Sequence, residues 1–505
     1  MSVAVPAASG TGDRRSPVLE RVVCAAAFLL VFFMVYAPTW LTLVKMGLLA
    51  VCLLAAAAVI AQHRDCWRVD RRLLLAMTAT VLLGAGYVVY GLAMGNPGAA
   101  PGARVHVAWL LVFTVLVLGV RTERGVRTVL RAVVTAVLVS AVYGLAYCLA
   151  AAGLLPEAIT RLPLYPNPIY MQVPGQPLPA ASFLFLGSYL FGLPICAVLA
   201  VFPSPRSRRW IPAPLVWSAL LLAMLVIILS GRRAAILAVL LTPAVALVVN
   251  RLVSGRWLGG HRLWPVVARG AAVAVAVAVL VGAYSASRPL QHATTHIVGG
   301  ERTFLIERGD MDDAATAVDS GARARPAGPA WAAAAQMRSD FAAGFDVGSS
   351  GDAATRVEQA HVLLDRFADR PVFGWGLGAT TPGYVRSDSQ PWAFELTYVS
   401  WLMQFGLVGT LAYAVAFAGI VVAAARAGRR RPELAAVLVA LTTGMIIFLI
   451  GNATNPYLGK FDGLLPVFLP LLVAHVAAHR APSSPPGSPA DRGLLVRPAV
   501  EGRLT

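Results

Sequence analysis

The amino-acid sequence predicts an all-α polytopic membrane protein, with about 12 transmembrane helices and one large extracytoplasmic loop between helices 9 and 10. Hydrophobic residues make up 58% of the 505 residues and charged residues only 13%, and the mean hydropathy is +0.70. Apolar stretches of about 20 residues with few charges are long enough to cross a bilayer. Helices are the expected form of these spans, because they satisfy their backbone hydrogen bonds internally.

The apolar runs divide the chain into predicted spans and connections. The spans are 18–36, 41–61, 73–94, 105–120, 128–152, 181–202, 211–229, 233–250, 265–285, 394–424, 434–451 and 463–479. The predicted regions are a cytoplasmic tail, helices 1–9, an extracytoplasmic loop, helices 10–12 and a disordered cytoplasmic tail rich in Pro and Ser: 1–17, 18–285, 286–393, 394–479 and 480–505.

Arginines indicate which side of the membrane each connection faces. Every even-numbered connection is rich in arginine, as in the sixth, which contains Arg206, Arg208 and Arg209. The first and third connections, "APTW" and "GNPGAAPGA", carry no charge. Short cytoplasmic connections carry an excess of Lys and Arg, so the even connections and both termini are predicted to be cytoplasmic. The same bias accounts for the net charge of +18 without nucleic-acid binding.

The seventh connection, "SGRR" (230–233), is an exception because it places Arg232 and Arg233 on the outer side. Two interpretations fit these arginines. They belong to a tight turn and extend to lipid phosphates, or they form a fixed cationic site for an anionic substrate at the outer face.

The second half of the large loop, from residue 355, predicts a short helix followed by a turn. Thr355 and Glu358 form a capping-box pattern, and Pro371 is expected to end the helix. The predicted apolar face consists of Val357, Ala360, Leu364 and Phe367. The glycine-rich turn "FGWGLG" (373–378) has no P-loop lysine, so it does not predict a nucleotide site.

Two charged residues lie at the outer ends of predicted spans. Glu395 precedes span 10, with Tyr398 at helical spacing on roughly the same face. A carboxylate there is costly unless it is paired or hydrated, which favours a functional role. The alternative is a first-turn acid stabilised by the helix dipole. Lys45, one turn into span 2, either extends to the interface or meets a diphosphate or Glu395.

Four short motifs follow one another in a recognisable order. They are Arg161 in "EAITRLPLYPNPIYMQVPG", "SGRRAA" (230–235), Arg356 followed by "PVFGWGLG" (371–378), and "ELTYVSWLMQFGLVG" (395–409). Their order and predicted side resemble the superfamily of O-antigen ligases and Wzy-type O-antigen polymerases. Members of that superfamily move glycans from polyprenyl-diphosphate carriers at the outer face of the bacterial inner membrane.

One position departs from the ligase pattern. Glu395, eleven residues before Gly406, stands where ligases carry a histidine, and Leu396 stands where they carry an asparagine. Polymerase-like members often carry Glu at this place, so the departure favours a polymerase over a ligase.

The resemblance implies a glycosyltransferase of the bacterial cytoplasmic membrane, with its active site facing outward. Glu395 is the expected catalytic base, although His361 is nearby in the sequence. The expected substrate-binding residues are Arg161, Arg232, Arg233, Arg356, Lys45 and Tyr398. Arginine suits a diphosphate because its planar fork binds phosphate oxygens bidentately.

The expected partners are a polyprenyl-diphosphate-linked oligosaccharide donor, a glycan or lipid acceptor and membrane lipids, with no nucleic acid. No Asp, Glu or His cluster has metal-ligand spacing and no nucleotide-sugar site is visible, so metal-independent transfer without a cofactor is expected. The alternatives are a polytopic transporter or lipid-linked glycan flippase and a peptidoglycan-type glycosyltransferase. A transporter typically shows inverted repeats and charges near the midplane of the membrane. No convincing repeat is visible in this sequence.

Overall fold

The computed structural model describes residues 17–37, 41–62, 71–120, 122–151, 155–156, 182–202, 204–230, 233–255, 350–385 and 390–479. All regular secondary structure in this part of the chain is helical, except one isolated antiparallel bridge between Thr381 and Tyr384. Within it, 7 helices are long and apolar enough to cross a membrane, and four shorter apolar helices accompany them. The chain is therefore a polytopic integral membrane protein, as its composition predicts.

The helices follow the predicted spans closely. In chain order they are α1 (Pro17–Tyr36), α2 (Thr42–Gln62), α3 (Arg71–Ala93), α4 (Ala99–Ala103), α5 (Trp109–Gly119), α6 (Glu123–Ala151), α7 (Ser182–Val201), α8 (Pro205–Trp210), α9 (Ala213–Ser230), α10 (Arg233–Ser254), α11 (Ser350–Asp369), α12 (Thr397–Arg430), α13 (Ala435–Gly451) and α14 (Leu465–His479). A π-helical segment, Arg104–Ala108, joins α4 to α5. The predicted span 265–285, both tails and the loop before residue 350 lie outside the described residues.

The helix of the large loop differs from its prediction. α11 begins at Ser350, so Thr355 lies inside the helix and the predicted N-cap at that residue is wrong. The buried face is also rotated, because Leu363 is 0% exposed whereas the predicted Leu364 is 43% exposed. The reason is that Gln359, only 1% exposed, shares this face and makes polar contacts that hydrophobic periodicity does not register.

Four arginine-rich connections meet at one end of the bundle. Arg206, in the first turn of α8, pairs with Glu123 at the start of α6 and approaches Glu433 after α12. In the same region, the Arg131 Nε donates to the carbonyl oxygen of Trp210 at 2.6 Å. The Arg429 Nε donates to the carbonyl oxygen of Leu252 at 3.2 Å. The even-numbered connections from the fourth to the tenth thus form one basic face.

The uncharged and mixed-charge connections meet at the opposite end. Gly98 donates its backbone N–H to the carbonyl oxygen of Gly378 at 3.2 Å, which joins the third connection to the large loop. Thr397 Oγ1 donates to the carbonyl oxygen of Asn455 at 3.2 Å, which joins the start of α12 to the last connection. α10 ends beside Gly428, at the basic end of α12. Its first residue, Arg233, therefore lies toward the end where α12 begins.

Candidate active site

Arg356 and Glu395 form an ion pair at the entrance to α12. The Arg356 Nε lies 2.7 Å from the Glu395 Oε2, and the two side chains are 35% and 20% exposed. Arg356 comes from the second turn of α11, and Glu395 lies two residues before α12 begins at Thr397. Both are among the site residues predicted from sequence, and the fold brings them into direct contact across 39 residues.

α11 also holds the backbone at Glu395. The Gln359 Oε1 accepts hydrogen bonds from the backbone N–H groups of Glu395 and Leu396, at 2.9 Å and 3.0 Å. The Gln359 Nε2 donates to the Tyr384 hydroxyl at 3.1 Å. Gln359 lies three residues after Arg356, so both side chains project from the same face of α11. Sequence reasoning missed Gln359, although this helical spacing from Arg356 was available as a signal.

The glycine-rich turn after α11 fits into a break in α12. Gly406 has φ 62° and ψ −169°, which interrupts the helix. The carbonyl oxygens of Met403 and Gln404 accept from the N–H groups of Trp375 and Gly376, at 2.9 Å and 2.8 Å. In an unbroken helix, these two carbonyls would pair with the residues four positions later.

The break leaves the N–H groups of Leu407 and Val408 without helical partners, and the same turn satisfies them. Leu407 donates to the carbonyl oxygen of Pro371 at 2.8 Å, and Val408 donates to that of Val372 at 3.1 Å. Non-helical backbone within a span is tolerated where protein groups complete its hydrogen bonds. Residues 371–376 and the break at Gly406 are therefore one structural unit that fixes α11 against α12.

The third connection holds the other side of this turn. The Asn96 Nδ2 donates to the carbonyl oxygens of Trp375 and Leu377, at 2.8 Å and 3.2 Å. The Gln404 Oε1 accepts from the N–H of Gly378 at 3.0 Å. Gly378 has φ +75°, and a Cβ atom there would overlap the backbone of Gly98. A side chain is excluded at this position by both conformation and space.

Gly378→Ala is expected to destabilise the protein by about 2–5 kcal/mol, from left-handed backbone strain of about 1–2 kcal/mol and overpacking of about 1–3 kcal/mol. Gly383→Ala is the matched control, because Gly383 has φ +76° but no atom within 4 Å of the point that an alanine Cβ would occupy. The measurement is the thermal denaturation midpoint of each purified variant. Equal midpoints for the two variants would contradict the close-packing argument.

Comparison with known proteins places these features in a family. Residues 217–414 match the O-antigen ligase family. This segment is a domain of the O-antigen ligase family. The segment contains the "SGRR" motif, Arg356, the glycine-rich turn, Glu395 and the break at Gly406. The match confirms the resemblance inferred from the motifs. No curated protein matches the chain.

Lys45, another residue predicted to bind substrate, lies outside the O-antigen ligase domain, and its carboxylate partner is Asp462 rather than Glu395. Its Nζ lies 2.9 Å from the Asp462 Oδ2, and the two side chains are 1% and 3% exposed. The same Nζ donates to the carbonyl oxygen of Ala37 at 2.8 Å. Lys45 therefore connects the α1–α2 turn to the last connection, whereas Glu395 is paired with Arg356.

The remaining predicted site residues are placed as follows. Tyr398 donates its hydroxyl to the carbonyl oxygen of Leu449, so this group is directed to α13. Arg233 is the first residue of α10, and the structure does not describe its side chain. Arg161 and Arg232 lie outside the described residues. His361 lies on α11 and is partly exposed. Among the described residues, no group of three or more His, Cys, Asp or Glu side chains is arranged to hold a metal ion.

Proposed function

We propose that this protein is a glycosyltransferase that polymerises or ligates glycan from a polyprenyl-diphosphate-linked oligosaccharide at the outer face of the cytoplasmic membrane. The observation that carries the proposal is the Arg356–Glu395 pair within the O-antigen ligase domain. In this pair, Arg356 is of a residue type that binds phosphate and Glu395 is a proton acceptor. The pair lies at the end of the bundle opposite the arginine-rich connections.

Arginine has the chemistry needed to bind the leaving group. A guanidinium has five N–H donors in one plane, so an arginine bonded to a carboxylate through Nε can also bind phosphate oxygens through its terminal nitrogens. Arg356 is the described candidate, and Arg232, Arg233 and Arg161 are the further candidates from the motifs. Stabilising the negative charge on the departing diphosphate would lower the barrier to transfer.

Glu395 has the chemistry needed to activate the acceptor. In the proposed step, the acceptor hydroxyl oxygen forms a bond with the anomeric carbon of the donor sugar, and the bond from that carbon to the diphosphate breaks. The hydroxyl proton passes to the carboxylate of Glu395, and polyprenyl diphosphate leaves with the bonding electrons. Glu395 at the histidine position of ligases favours repeated glycan addition, which is polymerase activity.

The orientation gives a direct test, because the proposal requires the site to face outward. Gly231→Cys and Ser349→Cys are expected to react with a membrane-impermeant thiol reagent in intact cells. Cys66, in the arginine-rich second connection, is the internal control and is expected to react only after permeabilisation. Protection of both introduced cysteines in intact cells would contradict the orientation and, with it, the proposed site.

The activity itself is tested with purified protein in lipid vesicles. The substrate is undecaprenyl-diphosphate oligosaccharide extracted from cells that carry this protein. A ladder of longer lipid-linked glycans is the expected product of a polymerase, whereas glycan on a different acceptor would indicate a ligase. Consumption of no donor in the presence of the cells' own acceptor fraction would count against both.

A further inference from the structure

We propose that Gln359 is a positioning residue for glycan transfer, holding the backbone of Glu395 so that its carboxylate meets the acceptor hydroxyl. The inference rests on the proposed function, because it takes Glu395 as the base. Gln359 is 1% exposed, and both ends of its carboxamide are engaged in hydrogen bonds. A buried amide with this arrangement fixes the groups that it contacts.

The hydrogen bonds determine which way the amide points. Two backbone N–H groups, those of Glu395 and Leu396, approach the same atom of Gln359 at 2.9 Å and 3.0 Å. Only the oxygen can accept from both, so the NH₂ group must face the Tyr384 hydroxyl. If the amide were reversed, its NH₂ group would face the N–H groups of Glu395 and Leu396, and donors would oppose donors.

These N–H groups need a partner from outside α12. Leu396 is the N-cap of α12, and the N–H groups at and before a helix start have no partner within the helix. The Leu396 side chain forms no capping hydrogen bond, so Gln359 from α11 supplies the acceptor that a local cap would otherwise provide. This removes the freedom of residues 395 and 396 to pivot about the start of α12.

α11 therefore holds Glu395 at two points. Arg356 bonds its carboxylate at 2.7 Å, and Gln359, one turn later, bonds its backbone. The α11 helix is itself fixed to α12 by the turn that enters the break at Gly406. Two contacts from one rigid helix fix both the position and the direction of the Glu395 side chain.

The test is Gln359→Met, which keeps the length of the side chain and removes the amide. We expect kcat per folded molecule to fall about tenfold to a hundredfold, because a base displaced by about 1 Å loses its alignment with the hydroxyl. KM for the undecaprenyl-diphosphate oligosaccharide is expected to stay within about threefold, since Gln359 does not bind the donor. Folded protein is quantified by size-exclusion chromatography before each assay.

Three further variants make the outcomes decisive. Glu358→Met changes the exposed neighbour of Gln359, and Tyr384→Phe removes only the hydroxyl that faces the NH₂ group; both are expected to retain kcat within about threefold. Gln359→Glu keeps an oxygen opposite both N–H groups and is also expected to retain kcat within about threefold. If Gln359→Met does not yield folded protein, Gln359→Glu alone decides.

Wild-type kcat in folded Gln359→Met, or a change confined to KM, would overturn the positioning role. A loss of more than about tenfold in folded Gln359→Glu would do the same. Failure of the proposed function gives a different result, because the wild-type protein itself would then consume no donor. If only the assignment of Glu395 as the base fails, Glu395→Gln would transfer glycan at the wild-type rate.

Discussion

Glu395→Gln is expected to lower the rate of glycan transfer by about a hundredfold to ten-thousandfold, which is the usual contribution of a general base. The glutamine side chain has the same length, and its amide oxygen can still accept the hydrogen bond from the Arg356 Nε. It cannot take a proton from the acceptor hydroxyl. The measurement is the transfer rate at matched amounts of folded protein in lipid vesicles.

A stabilising role for Glu395 predicts a different outcome. An acid near a helix start contributes about 1 kcal/mol or less through the helix dipole, and a partly exposed ion pair contributes a similar amount. If these were its only roles, Glu395→Gln would lose a little stability and almost no activity. Glu358→Gln is the matched control, because it makes the same change at an exposed carboxylate on α11. A Glu395→Gln rate within a few-fold of wild type would direct the search for the base to His361.

Local patterns were sufficient to predict much of the fold and part of the site. Apolar runs indicated the spans because a membrane helix needs an uninterrupted stretch of about 20 residues. Arg356 and Glu395 were identifiable because each precedes a motif. The glycine-rich turn follows Arg356 along the chain, and Glu395 opens the segment that leads to Gly406. Their direct contact could not be predicted, because it depends on how α11 is held against α12.

Other features depend on contacts between distant parts of the chain. In the sequence, Gln359 does not differ from other polar residues on an exposed helix. Its role is visible only from its hydrogen bonds with Glu395 and Leu396. Gly406 lies in an apolar segment whose sequence predicts a continuous span. The break there is stabilised by backbone groups of residues 371–376, which are distant in the sequence. Hydrophobic periodicity does not register hydrogen bonds between backbone segments.

The Lys45–Asp462 pair, which joins residues 417 positions apart in the chain, gives the largest expected effect on stability. Lys45→Met is expected to destabilise the protein by about 3–5 kcal/mol, because removing one member of a buried ion pair leaves the other charge without a partner. The effect on Asp462 is severe, since its Oδ1 already has no hydrogen-bond partner among the described residues. The thermal denaturation midpoint of the purified variant measures this loss.

The double variant Lys45→Met/Asp462→Leu separates a structural role for Lys45 from the substrate-binding role that its position in the sequence suggested. Replacing both members of a buried pair with apolar residues of similar size is often neutral or stabilising. We therefore expect the double variant to recover most of the midpoint lost by Lys45→Met. Its transfer rate per folded molecule is expected to be close to wild type, because Lys45 is 1% exposed and engaged with Asp462. Recovery of stability with a lowered transfer rate would contradict a purely structural role for the Lys45–Asp462 pair.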